Sequence, residues 1–350
     1  MTSLSGLFLQ FAGLAARFPG ITALLIGVIA ALGFPPLHLW PLTLLAIGAL
    51  AAMIRTAPTR RAAFRLGWMF GVGHFTMANN WIAQAFTYQD SMPPMLGWIA
   101  VPLLSLYLAI YPALATWAAW ELAKRARITG PQIFGVCFAG MWIISEWLRS
   151  WVFTGYAWDP LGLVFLGGFN AQGIAVLLPF VGTYALSGLV VLIAAALMNL
   201  LLRRRWIVAG GGFAVAAAVM LFPSMGQPPK GDVPFTLVQP DVRQPDLDNP
   251  AKFEEQFMRI AQLSAPREPV EGRLVMWPES GVPDYLEDGY PQRYYDRMTA
   301  GGDPAFARWR IGRSIGDDAM LLTGAVNLDI AGGRAVTARN SVTAISSEGE

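Results

Sequence analysis

The sequence predicts a polytopic α-helical membrane domain followed by an α/β extracytoplasmic domain, and three observations carry that prediction. Of the 350 residues, 55% are hydrophobic and only 14% are charged, with a mean hydropathy of +0.45, far more apolar than an ordinary soluble domain. Charge is divided unevenly: residues 1–229 hold 12 basic and 4 acidic side chains, whereas residues 230–350 hold 13 and 19. Long apolar runs fill the first part, and short strand-like runs bounded by Pro, Gly and Asp fill the second. The aromatic and aliphatic content excludes a disordered chain, and a single cysteine excludes a disulfide framework or a multi-cysteine metal cluster.

Seven apolar segments are expected to cross the bilayer, at about 20–36, 41–55, 64–88, 95–123, 131–151, 172–202 and 206–223. Seven buried core helices in a row would leave a soluble protein no polar surface to show to water. Basic residues fix the orientation. Arg17, then Arg55, Arg60, Arg61 and Arg65, then Lys124, Arg125 and Arg127, then Arg203, Arg204 and Arg205 fall on one side, and the opposite loops hold essentially Asp90, Arg149 and Asp159. The positive-inside rule then places the N-terminus in the cytoplasm and residues from about 224 onward outside, in the periplasm of a two-membrane cell. Residues 1–16 carry no Lys or Arg, and the first apolar run ends in Pro35-Pro36 rather than at a small-residue cleavage site, so the first span is expected to be retained.

Polar residues within spans require a reason. His74, Asn79, Asn80 and Gln84 lie along the third span, where helix-to-helix hydrogen bonding accounts for them; Glu146 and Arg149 lie near the outer end of the fifth. The loop after that span, Trp151-Val-Phe-Thr-Gly-Tyr-Ala-Trp158, reads as an interfacial aromatic belt. Gly155 between aromatics, followed by Asp159-Pro160, equally describes a shaped turn able to hold a lipid headgroup. Gly155, Tyr156 and Trp158 are therefore candidate lipid-contacting residues.

Domain boundaries follow: a transmembrane domain over 1–223, a Pro- and Gly-rich linker over 224–231, and an external domain over 232–350. In the last, Phe235–Gln239, Arg273–Trp277, Met320–Thr323 and Ser341–Ile345 read as strands. Asn249 suits an N-cap and Pro250 a first helical position ahead of Phe253, Phe257 and Ile260; further helices are expected near 291–298 and 304–310. Glu279, in Trp277-Pro-Glu-Ser280, follows the carboxyl end of a strand, where α/β sheets gather reactive groups. Trp277 is expected to wall the carboxylate and raise its pKa toward general-base range; a solvated turn residue is the plainer alternative.

Taken together, Phe153-Thr-Gly-Tyr-Ala-Trp158, then Leu237-Val-Gln-Pro-Asp-Val-Arg-Gln244, then Val275-Met-Trp-Pro-Glu-Ser280, then Thr323-Gly324 and Asn340-Ser341 resemble bacterial apolipoprotein N-acyltransferases in order and over nearly the whole chain. The resemblance implies an external nitrilase-like α-β-β-α sandwich of the carbon–nitrogen hydrolase type, a Glu-Lys-Cys triad with Glu279 as its general base, and an inner-membrane location. It further implies transfer of an acyl chain from a phospholipid, through a Cys thioester, to the α-amino group of a lipoprotein's N-terminal diacylglyceryl-cysteine. The family's Lys, Cys and final span fall downstream of the Ser341–Ile345 strand, and neither triad partner occurs before Glu350. The 350 residues alone are thus expected to be inactive, with an incomplete sandwich exposing strand edges near Thr323 and Ser341. Cys137 is read as a buried apolar residue and Lys252 as an exposed helix lysine; the Trp often found after Gln244 in the family is absent here.

A membrane transporter with an accessory external domain and a membrane-tethered amidase are the alternatives. Scarce intramembrane charge disfavours the first, and seven spans exceed what a tether needs. No cofactor and no metal are expected: His38 and His74 are isolated and no glycine-rich nucleotide loop follows a strand. The expected partners are the bilayer, the phospholipid donor and the lipoprotein acceptor, and the acidic external domain excludes nucleic acid.

Overall fold

The computed structural model describes residue 13 and residues 16–88, 93–168, 171–221, 231–247, 249–268, 270–279 and 281–350. The chain divides into two compact units, Met1–Gly226 and Gln227–Glu350. Most of the linker expected at 224–231 lies outside the described residues, as do Asp90 and Ser280.

The first unit is helical: α1 (Pro19–Ala31), α2 (Trp40–Arg55), α3 (Arg60–Ala78), a single turn α4 (Ile82–Ala85), α5 (Met95–Leu108), α6 (Ile110–Arg125), α7 (Pro131–Arg149), α8 (Leu178–Leu202) and α9 (Trp206–Leu221). Proline in the first turn opens α1, α2, α7 and α8, where its missing N–H costs no hydrogen bond. Thr59 opens α3 instead, its hydroxyl accepting from the Ala62 amide at 3.1 Å. Among the described residues two helical stretches, Met95–Arg125 and Ile174–Leu202, are long and apolar enough to cross a membrane, the second kinked at Gly182. The helices α1, α2 and α9 are apolar but have 13, 16 and 16 residues, roughly 20–24 Å at 1.5 Å per residue, shorter than the full spans expected from hydropathy.

Two breaks have local causes. Pro112 cannot donate to the Leu108 carbonyl and its ring presses on it, and α5 gives way to α6 at Ala109, just above that carbonyl. The third apolar segment, expected to run to residue 88, ends as a helix at Ala78. Asn79 takes a non-helical conformation there and the Asn80 amide donates to the Met77 carbonyl at 2.6 Å, competing with continued helix.

Packing runs from α1 on α3, through α3 on α6 and α6 on α7, to α8 on both α7 and α2. A Cβ on Gly27 would lie 2.1 Å from the Phe70 carbonyl oxygen, and one on Gly73 2.1 Å from that of Leu24, so only glycine lets α1 and α3 touch backbone to backbone. Ile47, Leu50, Ile54, Phe70 and Phe138 fill the core. Cys137 on α7 is half-buried rather than buried.

The second unit is a four-stranded sheet of order β1-β2-β3-β4, with β1 (Phe235–Leu237), β2 (Arg273–Met276), β3 (Ala319–Ala331) and β4 (Arg334–Ser346). The first three strands are parallel and β4 returns antiparallel on β3. Connecting helices are α10 (Gln244–Leu247), α11 (Phe253–Ser264), α12 (Gln292–Met298) and α13 (Pro304–Ile315). Asn249 caps as expected, its side chain accepting from the Ala251 amide at 3.1 Å ahead of a 3-10 turn. Alternate residues of β2 and β3, Val275, Ala319, Leu321 and Ala325, join Ile260, Ile311 and Ile315 of α11 and α13 in the core. On the other face Phe235, Leu237, Met320, Val326 and Val342 are exposed. The strand containing Thr323 is not an edge: β3 is paired on both sides, and β1 and β4 are the edges.

Candidate functional site

A cavity of about 430 Å³ opens where the carboxyl ends of the parallel strands β1 and β2 lie side by side, the usual place for a site in such a sheet. Pro240 and Val242 line it after β1, Glu279 and Tyr285 after β2, Phe257 from α11 and Asn340 from β4. The Glu279 side chain is exposed, and its Oε1 accepts from the Asn340 amide.

Strand β2 delivers that carboxylate through a constrained turn. Trp277 still pairs with β3, its N–H donating to Leu322 O at 2.9 Å, and Gly281 N–H closes a turn on Pro278 O at 2.9 Å. The turn lies against β3 at Gly324, where a Cβ would sit 2.0 Å from the Glu279 carbonyl oxygen and 2.7 Å from its Cα. Those neighbours are backbone and cannot swing aside. Gly324→Ala is accordingly expected to lower stability by about 1–3 kcal/mol or more and to speed amide exchange across Met276–Val282; unchanged exchange there would contradict the close approach.

The expected wall behind Glu279 is built differently. Trp277 is buried under α11, its indole N–H donating to Ser264 Oγ at 2.7 Å, with the Phe257 ring edge-on at 6.5 Å. Phe257 stands between Trp277 and Arg310, whose guanidinium lies 3.6 Å over its ring and bonds Glu254 at 2.8 Å. Lys252 is not a free helix lysine: its ammonium pairs with Asp246 at 2.7 Å. Leu247 of α10 lines the cavity in the stretch after Gln244.

In the helical unit, Trp151–Pro160 forms a turn carrying three left-handed residues, Phe153, Gly155 and Asp159. Gly155 is required: a Cβ would lie 2.4 Å from Ser150 O at a φ of +76°. Trp158 is 63% exposed and Phe153 85%, whereas Tyr156 turns inward. Its hydroxyl donates to Asn79 Oδ1 at 2.5 Å and its N–H to Arg149 O at 2.7 Å. Of the three predicted lipid-contacting residues, the structure thus puts Trp158 on the loop's outer surface and gives Gly155 and Tyr156 to its shape.

Burial raises the Asp159 carboxyl to about 6, against the pull of Arg149, and its Oδ2 has no hydrogen-bond partner among the described residues. A carboxyl whose folded pKa is raised binds its proton more tightly in the folded state. Stability contributed by this group is present below the unfolded value of 3.8 and is lost as pH rises to about 6. Asp159→Asn should therefore melt higher than the parent at pH 7.5 and match it near pH 3.5; equal melting at both pH values would refute the assignment.

These two units define the class: a helical unit with membrane-length apolar helices, and an α/β unit presenting a carboxylate at the carboxyl ends of its strands. A family model described as the apolipoprotein N-acyltransferase N-terminal domain matches residues 26–196. Proteins named apolipoprotein N-acyltransferase are similar over more of the chain. That of Pseudomonas putida is 31% identical over 292 residues, 80% of this chain and 55% of the relative. That of Azotobacter vinelandii is 32% identical over 287 residues, 79% and 53%; that of Ralstonia nicotianae is 34% identical over 178 residues, 51% and 33%. The chain is thus similar to apolipoprotein N-acyltransferases, and it spans about half the length of these curated relatives or less.

Sequence reasoning missed what holds the sites in shape. Asn340 is quoted in a motif without a role, yet it bonds Glu279; Asn79, Glu146 and Arg149 are read as span polarity, yet they fasten the loop. Polar residues in an apolar helix are the signal that could have found the second group.

Proposed function

We propose that the gene product N-acylates lipoproteins in the bacterial inner membrane, taking an acyl chain from a phospholipid and placing it on the α-amino group of a diacylglyceryl-cysteine. The observation that carries this reading is Glu279 at the carboxyl end of β2, exposed in a cavity and held by Asn340. In that position Glu279 serves as general base and acid: it takes the proton of the family's cysteine thiol as the thiolate attacks the phospholipid ester carbonyl and returns it to the departing lysophospholipid oxygen, then takes a proton from the amine that attacks the thioester and returns it to the departing cysteine sulfur. The cysteine and the lysine that steadies the oxyanion belong, by family resemblance, to sequence beyond β4.

Supporting the nitrilase-like reading, helices cover one face of the sheet while Phe235, Leu237, Met320 and Val342 are exposed on the other, as half of an α-β-β-α sandwich requires. The helical unit provides the multi-pass anchor with the N-terminus inside and the α/β unit in the periplasm, and Trp158 with its loop contacts the lipid. The several apolar helices of the first unit exceed what a tether needs, which favours acyl transfer between lipids over a tethered amidase acting on soluble amides.

The test is made on the protein in its native membrane, with its intact mass recorded. Supplied with phospholipid and a synthetic diacylglyceryl-cysteine peptide, these membranes should raise the peptide mass by one acyl chain. A peptide that stays unchanged while the protein is present overturns the reading.

A further inference from the structure

We infer that Arg149 is a positioning residue that sets the shape of the Phe153–Trp158 loop, and this rests on the proposed contact of that loop with lipid. Arg149 is 3% exposed, and among the described residues no carboxylate lies within ion-pair distance of it. A buried guanidinium is costly unless its donors are satisfied, so with no ion pair in contact what they reach is informative. One Nη donates to Trp158 O at 2.6 Å and the other to Asp159 O at 3.3 Å. Its guanidinium carbon lies over the Phe75 ring at 5.1 Å and over the Tyr156 ring at 5.9 Å from the centroids. The charge is thus spent on two consecutive backbone carbonyls of the loop and on the ring that turns inward beneath it.

One turn earlier on α7, Glu146 Oε1 accepts from the Leu161 amide at 2.8 Å and from the Trp142 indole at 2.9 Å. Residues three apart share a helix face, so the last turn of α7 grips the chain on both sides of Pro160. A grip of this kind is needed, because Phe153 and Asp159 hold left-handed backbone conformations that non-glycine residues keep only when their surroundings impose them. Arginine suits the task where lysine does not: a rigid planar fork presents separate N–H groups to two carbonyls at once, and a single ammonium does not match that geometry.

The experiment uses the full 350-residue chain with Cys137→Ala, a nitroxide at Phe153→Cys, and vesicles of phosphatidylethanolamine and phosphatidylglycerol containing a diazirine-bearing phosphatidylethanolamine. Arg149→Gln and Arg149→Lys are both expected to speed label tumbling several-fold and to cut lipid cross-linking to the loop by a comparable factor, with helicity by circular dichroism retained. Unchanged tumbling, or full rescue by lysine, would overturn the inference. Trp158→Ala with Arg149 intact tests the lipid reading separately: unchanged cross-linking there rejects lipid contact, while the tumbling result still decides the role of Arg149. Should both Arg149 variants lose helicity, a second nitroxide at Met95→Cys in the Arg149 protein gives the answer from the distance between labels. A single narrow distribution is expected, and a broad one refutes a fixed loop.

Discussion

Arg273→Ala is expected to unfold the C-terminal unit. Arg273 is 6% exposed at the start of β2, and its guanidinium donates to three places: Thr236 Oγ1 on β1 at 3.1 Å, Ser264 O at 2.8 Å, and Ile315 O. Ser264 and Ile315 are the last residues of α11 and α13, so one cation satisfies carbonyls at two helix C-termini, where no intrahelical partner exists and the dipoles favour positive charge. Truncation leaves two buried carbonyls unpaired and a void between the sheet and both helices. Leaving a buried acceptor without its donor costs about 1–3 kcal/mol each, so losing both helix-end bonds removes a large part of the roughly 5–15 kcal/mol that holds a whole domain. Urea unfolding followed at a reporter in the second unit should show its midpoint collapse while the helical unit keeps its own. An unshifted midpoint would mean that the helix ends are satisfied without the guanidinium.

Each of the seven apolar segments contains a helix, because long runs of Leu, Ala, Ile and Val dominate any averaged pattern. Averages miss single-residue backbone effects, so neither the stop at Asn79 nor the break ahead of Pro112 is visible to hydropathy. The α/β order is likewise legible, but the expected strands Met320–Thr323 and Ser341–Ile345 are only parts of two 13-residue strands joined at Gly332 and Gly333. Strand β4 is an edge whose residues are mostly exposed, so its Arg, Thr and Asn give no apolar alternation to read.

Glu279 is legible because strand, proline and carboxylate are contiguous. Its partner Asn340 lies 61 residues on and arrives through the antiparallel register that sets Asn340 opposite Val326, two residues past the Gly324 contact. No local pattern encodes that register. The direction of Trp277 was available from parity alone, since it follows Val275 by two residues on the core face of the sheet.

That register leads to the largest functional effect. Asn340 donates to Glu279 Oε1, and under the proposed mechanism the carboxylate's other oxygen is the proton acceptor. Glu279→Gln keeps the size of the side chain and can keep an oxygen toward Asn340, but it removes the basic lone pairs of a carboxylate. General-base catalysis contributes typically 10²–10⁴-fold, so acylation of the diacylglyceryl-cysteine peptide in native membranes should fall by about that factor. Because glutamine fills the same volume in the cavity wall, peptide and phospholipid should still saturate the enzyme at similar concentrations, placing the loss in kcat rather than KM. Asn340→Ala should act in the same direction and less strongly, since the carboxylate survives and only its orientation is released. Activity of Glu279→Gln within a few-fold of the parent would remove the carboxylate from the chemistry, and with it the assignment of the β2 cavity as the site of acyl transfer.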